Sequence, residues 1–564
     1  MSVFDYRRRP TVEVTVGRTP LGGDNPVRIQ SMGSRSTMDT RGCVEQALRM
    51  ADAGAEYIRF TAQGVREAEN LAVIRRELHS AGCCVPLVAD IHFNPRAAFA
   101  AASRVEKVRI NPGNFVDPGR TFRRIEYTDA EYAAELRRIE EALVPFLDLC
   151  RENHTAIRIG VNHGSLSDRI MSRYGDTPAG MTESAMEFLR VCRRRGFNDV
   201  VISVKASNVT VMVETVRRLV AAMDAEDMHF PLHLGVTEAG DGEDGRVKSA
   251  VGIGTLLAEG IGDTIRVSLS EEPERELPVA RELADYIASF ADAPAIEGEY
   301  APGYDHISPR RRVSTAVGPV GGGQIPVVAA RDASAAYDED LRPDIFLADS
   351  PVKIREVSCS EIGAPDFAAA PDEVLMLGSD GPNYPGRIRA AMHRLMTLGV
   401  KNPVILRASY PADMPADTVR LRAAVDLGAP LLDGFADGVM VEAPSLAAAD
   451  VTRLAFGILQ AARLRVTRTE YVSCPGCGRT LFDLQSTLAR VKEATSHLSG
   501  LKIGVMGCIV NGPGEMADAD YGYVGAAAGH ISLYKGKECV EKNIPAEEAV
   551  EHLVELIKRN GDWK

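Results

Sequence analysis

The chain has 564 residues, of which 45% are hydrophobic and 25% are charged, as in an ordinary globular protein with length for several domains. Its formal net charge of −13 argues against nucleic acid as a main partner, whereas anionic small molecules are not excluded because they respond to local charge. No apolar stretch reaches the roughly 18 residues that a membrane span needs, so we expect no membrane partner.

Two further features favour a reducing cytoplasm. The first ten residues carry a basic patch but no apolar core behind it, so they do not form a secretory signal. Ten cysteines in a chain of this length do not form a disulfide framework.

Residues 1–290 alternate strand and helix, which predicts an α/β fold. Each candidate strand is a short apolar or β-branched run bounded by Gly, Pro or Asn, and a helical pattern follows it. The count stops at eight, which predicts a (β/α)8 TIM barrel as the N-terminal domain, with an open doubly wound sheet as the alternative. The candidate strands are Val27–Met32, Glu56–Thr61, Pro86–His92, Lys107–Asn111, Ala156–Val161, Asp199–Lys205, Pro231–Val236 and Asp263–Leu269.

Cations mark the ends of five of these strands, where the working groups of such barrels lie. Burying several like charges without a partner is prohibitive, so we expect an anionic ligand with more than one phosphate. Arginine forks and a lysine point charge suit such a ligand. Alternatively, some of the cations pair with Asp90 or Glu238, or face solvent. The five are Arg59, Arg109, Arg158, Lys205 and Arg266.

Glu238 follows predicted strand seven and has no cation near it in the sequence. Near a dry, cationic barrel mouth, its carboxyl group could deliver a proton to a leaving oxygen. A salt bridge to one of the five cations is the alternative.

Neither glycine-rich run indicates a nucleotide site. The run 240–247 has phosphate-loop spacing, but Arg246 and Val247 replace the expected Lys and Ser or Thr, and the run is acidic. The run 318–323 lacks the pattern that opens a dinucleotide-binding helix. We therefore expect electrons to come from an outside carrier.

The sequence pattern of residues 291–450 predicts a second, smaller α/β domain that is inserted after the barrel. This segment contains no metal motif. A spacer or a docking surface is its expected role. Its predicted strands are Asp344–Ala348, Glu373–Leu377, Pro403–Arg407 and Gly438–Glu442, and its predicted helices are Pro385–Leu398 and Ala416–Leu427.

Residues 451–564 predict an α+β domain that carries a metal motif. Cys474 and Cys477 form a C-x-x-C, and Cys508 ends an apolar run that predicts a short strand. Glu515 follows the turn Asn511–Gly514, so three thiolates and one weaker oxygen ligand could hold an iron–sulfur cluster with one iron open to substrate. The alternative is a closed structural zinc site with Cys539 as the fourth ligand. The predicted elements are the helices Leu481–Leu498 and Ala546–Lys558, the strand Leu501–Met506 and a strand around His530–Tyr534.

Several segments together resemble a known family. The resemblance is to the 4-hydroxy-3-methylbut-2-enyl diphosphate synthases, the iron–sulfur enzymes of the non-mevalonate (MEP) isoprenoid pathway. It covers the barrel and the last hundred or so residues. The segments are Arg28–Met32, Ala89–Phe93, Val108–Asn114, Arg158–Ser165, Cys474–Arg479 and Gly507–Glu515.

The resemblance implies an oxidoreductase that opens the ring of 2-C-methyl-D-erythritol 2,4-cyclodiphosphate with two electrons and loses water. It implies a [4Fe–4S] cluster held by Cys474, Cys477, Cys508 and Glu515, with flavodoxin or ferredoxin as electron donor. Glu238 resembles the family's acidic residue after strand seven. The residues that resemble its diphosphate-binding positions are Arg59, Arg109, Arg158, Asn162, Lys205, Arg266 and Ser268.

The inserted domain sets this chain apart from the short form of the family, a head-to-tail dimer in which one chain's cluster closes over the other's barrel. The chain resembles the long form of plants and some bacteria, and we expect no plant-type transit peptide. We expect the insert to act as a strut that lets the cluster domain cap its own barrel, although a homodimer is not excluded.

Two other classes of function stay open. One is a zinc-stabilised phosphate-binding hydrolase, and the other is a non-catalytic iron–sulfur scaffold or sensor.

Overall fold

The structure is a computed structural model, and it describes residues 3–117, 125–379, 381–509, 514 and 516–564. Contacts within these ranges divide the chain into two compact units. The barrel unit comprises Pro10–Gly242, Gly262–Arg281 and Arg468–Lys564. The insert unit comprises the residues up to Arg9, Glu243–Ile261 and Glu282–Thr467.

Eight parallel strands form the predicted TIM barrel. Strands β1 to β6 pair in chain order, and β1 also pairs with β8, which pairs with β7. A parallel bridge between Ile202 and Leu232 joins β6 to the segment that enters β7. This order confirms the barrel and excludes the doubly wound alternative. The strands are β1 Arg28–Met32, β2 Tyr57–Ala62, β3 Leu87–Ile91, β4 Lys107–Ile110, β5 Ala156–Asn162, β6 Val200–Lys205, β7 His233–Leu234 and β8 Thr264–Ile265.

Helices follow the strands, and side chains cap several of them. Asp39 accepts a hydrogen bond from the Gly42 N–H at the start of the first helix, at 3.0 Å. Thr128 and Glu131 form a capping box at the start of the fifth helix. The helices are α1 Thr40–Asp52, α2 Val65–Ser80, α3 Pro95–Ala102, α4 Pro112–Phe115, α5 Asp129–Glu152, α6 Asp168–Tyr174, α7 Pro178–Arg194, α8 Val209–Ala225, α9 Gly242–Ala258 and α10 Glu276–Ala288.

The two faces of the barrel strands differ in chemistry. Every residue of β5 is buried, yet Arg158 and Asn162 alternate with Ile157, Ile159 and Val161. Because side chains alternate across a strand, the polar residues share one face. At the opposite end of the strands an apolar cluster, which includes Val14, Leu21 and Tyr57, fills the barrel. The polar face therefore opens at the carboxyl ends of the strands, where the working groups of this fold lie.

The insert unit contains a six-stranded sheet, parallel throughout, with the order β10-β9-β14-β13-β12-β11. Strands β9 and β11 were not expected from the sequence, while the four predicted strands are present. The strands are β9 Val327–Ala330, β10 Ile345–Phe346, β11 Lys353–Ser358, β12 Glu373–Gly378, β13 Val404–Ser409 and β14 Gly438–Glu442. The helices are α11 Cys359–Gly363, α12 Tyr384–Thr397, α13 Ala416–Leu432 and α14 Ala448–Ala461.

The C-terminal part of the barrel unit is a mixed sheet with two long helices. Strands β15, β16 and β17 are parallel, whereas β18 and β19 continue the sheet antiparallel. The strands are β15 Glu470–Ser473, β16 Lys502–Met506, β17 Tyr521–Ala527, β18 His530–Lys535 and β19 Glu538–Pro545, and the helices are α15 Leu484–Thr495 and α16 Ala549–Arg559. Across the parts of the chain that the structure describes, no helix has both the length and the apolar character to cross a membrane.

Candidate active site

The structure brings the five predicted cations together at the carboxyl ends of the barrel strands. Four of them lie on β2, β4, β5 and β6, and the fifth immediately follows β8. They line one cavity with three other predicted site residues, and none of the eight side chains is more than 8% exposed. The eight are Arg59, Arg109, Arg158, Asn162, Lys205, Glu238, Arg266 and Ser268.

Asp90 is a carboxylate that lines this cavity and contacts its cations. It accepts hydrogen bonds from Nη1 of Arg109 at 3.2 Å and from Nη2 of Arg479 at 3.1 Å. Burial alone would raise the pKa of Asp90, but Arg59 and Arg109 outweigh it and hold that pKa well below its usual range. Arg109 therefore pairs with Asp90, which is one of the alternatives that the sequence analysis left open.

Arg266 pairs with a carboxylate that the sequence did not single out. Its Nη2 lies 3.2 Å from Oε1 of Glu276, the first residue of α10. Glu276 also accepts a hydrogen bond from the Ser31 hydroxyl at 2.7 Å. Arg266 therefore pairs with Glu276, whereas the sequence analysis had left a salt bridge to Glu238 as the alternative.

Arg158 and Lys205 face the imidazole of His233 rather than a carboxylate. Lys205 Nζ lies 3.2 Å from Nε2 of His233, and Arg158 Nη1 lies 3.5 Å from Nδ1. Burial lowers the pKa of Lys205 well below its usual value, and the charge of Arg158 lowers it further. Burial and the same cations also lower the pKa of His233, so its ring is neutral at pH 7. This side of the cavity therefore holds positive charge that an anionic ligand would neutralise.

Two glycines make room for these cations. A Cβ atom at Gly160 would lie 2.4 Å from Nε of Arg109, whose Nη2 donates to the Gly160 carbonyl at 2.8 Å. A Cβ atom at Gly235 would lie 2.5 Å from Nζ of Lys205. Any larger residue would displace the cation, so these positions require glycine.

Cys474, Cys477 and Cys508 line the same cavity as the cations. The Gly507 N–H donates to Sγ of Cys474 at 3.2 Å. Burial raises the pKa of the Cys474 thiol to about 12. The fourth predicted ligand, Glu515, lies outside the described residues.

Within the described ranges, no three His, Cys, Asp or Glu side chains are arranged to hold a single metal ion. A cubane cluster differs from a single ion because each protein ligand binds a different iron atom, which spaces the ligands more widely. Cys539, the fourth ligand of the zinc alternative, lies on β19, and the described residues that line the cavity do not include it.

Direct contacts hold the C-x-x-C loop over the barrel mouth. The Ser270 hydroxyl, which follows β8, donates to the Cys474 carbonyl at 2.9 Å. Ala239, which follows β7, forms a parallel bridge with Ser473. With the Arg479–Asp90 ion pair, these contacts place the cysteines and the cations of one chain around one cavity.

Comparison with known proteins places this site in a family. Residues 11–281 match the family described as the GcpE TIM-barrel domain, and residues 470–559 match the GcpE protein C-terminal domain. The chain belongs to the GcpE family. The resemblance inferred from the sequence is thereby confirmed.

Full-length relatives of this GcpE chain are named 4-hydroxy-3-methylbut-2-en-1-yl diphosphate synthase (flavodoxin). The protein of Bacteroides fragilis is 56% identical, and the alignment covers 100% of this chain and 98% of that protein. The proteins of Akkermansia muciniphila and Leptospira interrogans are 47% and 41% identical, with the same coverage of both chains.

Five ionisable residues that line the cavity or contact its cations were not among the predicted site residues: Arg479, Asp90, His92, Glu276 and His233. Asp90 was noted only as a pairing alternative for the cations, and His233 as part of predicted strand seven. Arg479 adjoins the C-x-x-C, but nothing in the sequence shows that it reaches β3. It lies in the same cavity as the five predicted cations. Burial lowers its pKa, but the electrostatic interactions with Cys477 and Asp90 outweigh this effect and raise that pKa.

Proposed function

We propose that this GcpE chain converts 2-C-methyl-D-erythritol 2,4-cyclodiphosphate to (E)-4-hydroxy-3-methylbut-2-enyl diphosphate. Two electrons and two protons enter, a ring C–O bond breaks, and one hydroxyl oxygen leaves as water. One observation carries the proposal: buried cations suited to a diphosphate share a cavity with the three cysteines of the iron–sulfur motif. The full-length relatives are named for this synthase activity.

The cations bind and orient the diphosphate. Arg59, Arg109 and Arg158 present guanidinium groups that match phosphate oxygens in pairs, and Lys205 adds a compact charge. Asn162 and Ser268, in the same cavity, can donate hydrogen bonds to the remaining oxygens. Most of these groups stand on rigid strands, so the ring is held in one orientation under the cysteine loop.

Cys474, Cys477, Cys508 and Glu515 hold a [4Fe–4S] cluster in this proposal. These donors suit an iron–sulfur cluster, because the three cysteine thiols line the cavity and the Gly507 N–H donates a hydrogen bond to one sulfur. Such a cluster supplies single electrons beside the bound ring. The chain's contribution is to seat the cysteine loop on the barrel and to exclude water from the closed cavity.

Glu238 protonates the oxygen that leaves as water. Its side chain lines the cavity with Thr237 and is 4% exposed. Its backbone φ of 48° is rare for a residue with a side chain, and such strain is typical of functional positions. A positioned carboxyl group in a dry cationic cavity can act as a general acid.

Flavodoxin is the electron donor in this proposal, in keeping with the names of the relatives. The cluster domain, residues 451–564, caps the barrel domain, residues 1–290, of its own chain, and the inserted domain, residues 291–450, is the strut. Contacts between β7–β8 segments and the cysteine loop of one chain support this arrangement. All ten cysteines are free, which supports a reducing compartment such as the cytoplasm.

Anaerobic turnover of the cyclodiphosphate with dithionite tests the proposed function. We expect a brown protein whose broad visible absorption bleaches with dithionite, and one product per two electrons. A colourless protein with stoichiometric zinc would instead support the hydrolase. A coloured protein that binds but does not convert the cyclodiphosphate would support the scaffold or sensor.

A mixing experiment tests whether each chain works alone. Arg158→Met should inactivate the barrel and Cys508→Ser the cluster. We expect no activity from the mixture of the two variants. Restored activity would show that barrel and cluster sites are shared between chains and would refute the strut.

A further inference from the structure

The segments that follow β1, β2 and β3, including the start of α2, present large apolar side chains to solvent. Met38 is 46% exposed, Val65 is 38% exposed and Phe93 is 50% exposed. Phe93 also has a φ of 57°, a rare conformation for a bulky residue. Exposed apolar side chains that cluster on one surface indicate a binding partner.

These segments form one surface because the three strands are neighbours in the barrel. Asn94 donates a hydrogen bond to the Gln63 carbonyl at 3.2 Å, which ties the β3–α3 loop to the β2–α2 loop. Asn70 donates to the Thr37 carbonyl at 2.7 Å, which ties α2 to the β1–α1 loop. We call this surface the rim.

Three exposed arginines lie on the rim among the apolar side chains: Arg35, Arg66 and Arg96. Within the described parts of the chain, none of the three forms an ion pair. The nearest carboxylates in the sequence are Asp39, which caps α1, and Glu67. The rim therefore presents three exposed guanidinium groups on a chain whose net charge is −13. A partner with a carboxylate-rich face would be steered to this surface rather than to the rest of the molecule.

The rim adjoins the C-x-x-C loop. A Cβ atom at Gly478, the residue after Cys477, would lie 2.7 Å from the Arg35 carbonyl oxygen and 2.8 Å from Oγ1 of Thr61. The cysteine loop therefore rests directly on the β1–α1 loop and on the end of β2. Electrons that arrive at the rim have a short path to the cysteines.

We propose that Arg35, Met38, Val65, Arg66, Phe93 and Arg96 form the docking surface for the electron donor. The partner is a redox protein that presents an apolar cofactor edge ringed by carboxylates, which is the chemistry of a flavodoxin. This inference rests on the proposed function and specifies where its electrons enter. The apolar side chains pack against the cofactor edge, while the arginines pair with the surrounding carboxylates.

The test compares two reductants on holoenzyme with the triple variant Arg35→Glu, Arg66→Glu, Arg96→Glu. With reduced flavodoxin, we expect KM for flavodoxin to rise about tenfold or more, and the salt dependence of the rate to weaken or reverse. With photoreduced deazaflavin, a small uncharged reductant, the turnover rate should equal that of the wild type. Met38→Ser with Val65→Ser should also raise KM for flavodoxin, but should leave the salt dependence unchanged.

The matched control reverses three exposed arginines on the outer helices: Arg76, Arg137 and Arg193. It changes the net charge equally and should leave KM for flavodoxin unchanged. An unaltered KM in the rim triple, or an equal rise in the control, would overturn the docking surface. Loss of deazaflavin-driven turnover in the rim triple would place the damage in the site and would also overturn it. Failure of the wild type to convert substrate with deazaflavin would instead count against the proposed function.

Discussion

Asp90→Asn should destabilise the ligand-free protein and should be rescued by an anion. Asp90 is 2% exposed and accepts from Arg109 at 3.2 Å and from Arg479 at 3.1 Å. Removing one partner of a buried ion pair costs about 3–5 kcal/mol, because the remaining charge stays buried and unpaired. Here two guanidinium groups lose their shared carboxylate, so we expect the upper part of that range.

Thermal unfolding of the ligand-free variant measures this loss, and we expect a drop in the unfolding midpoint of roughly 5–10 °C. Inorganic pyrophosphate should then restore much of the midpoint, because its charge replaces that of the lost carboxylate. At about 100 times its Kd, a ligand stabilises the folded state by about 2.7 kcal/mol. The rescue should therefore be a large fraction of the loss.

Glu187→Gln is the matched control. Glu187 is 4% exposed and accepts from Arg169 at 2.8 Å, but it lies on α7 rather than in the cavity. It should lower the midpoint comparably, and pyrophosphate should raise its midpoint only as much as it raises that of the wild type, because the cavity is intact. The reasoning is wrong if Asp90→Asn leaves the midpoint unchanged, or if pyrophosphate rescues both variants equally.

Two further predictions concern the same cavity, and a third concerns His163, which follows β5. Lys205→Met should raise the unfolding midpoint of the ligand-free protein. Calorimetry should show pyrophosphate binding weakened tenfold or more, about 1.4 kcal/mol. A lower midpoint with unchanged binding would contradict the charge argument. Glu238→Gln should lower kcat about 10²–10⁴-fold at unchanged pyrophosphate affinity, and full turnover would remove its role as the acid. His163 is buried, which lowers its pKa, but contacts to Asp518 at 3.5 Å and Asp176 at 3.2 Å raise that pKa overall. The stabilisation by its positive charge is therefore fully present below a pH of about 6.5 and is lost as pH rises through the raised pKa of the folded protein. His163→Gln should thus lower the unfolding midpoint more near pH 6 than near pH 9.

The barrel could be predicted from the sequence because its local signals agree. Buried parallel strands are short apolar runs, and α5 and α8 begin at side-chain caps that the sequence shows. Strand β11, Lys-Ile-Arg-Glu-Val-Ser, was missed because it is a partly exposed edge strand without an apolar run. Strand β17 was missed because Gly522 and Gly525 interrupt its apolar pattern.

The cationic cavity could be predicted for a topological reason. Parallel strands point the same way, so residues at their ends must meet, whatever separates them in the chain. The partners of those cations could not be predicted. Arg479 reaches Asp90 only because the C-terminal part folds back on the barrel, and Glu276 meets Arg266 only through the geometry at the start of α10. No local pattern encodes either contact.

The attachment of Glu238 to the fold differs from that of the cations proposed to bind phosphate. Arg59, Arg109 and Arg158 stand within strands, whereas Glu238 follows β7, a strand with only two residues in the ladder. Its neighbour Ala239 is instead bridged to Ser473, the residue before Cys474. The segment that carries the acid is therefore braced from above by the cysteine loop as well as from below by the barrel. If the loop lifts to admit or release a ligand, this brace is lost and the Glu238 carboxyl group loses its alignment. The cations on the strands keep their positions. Under the proposed function, proton delivery would then be timed by closure, and a molecule that enters the open barrel would be bound by the cations before it meets an aligned acid.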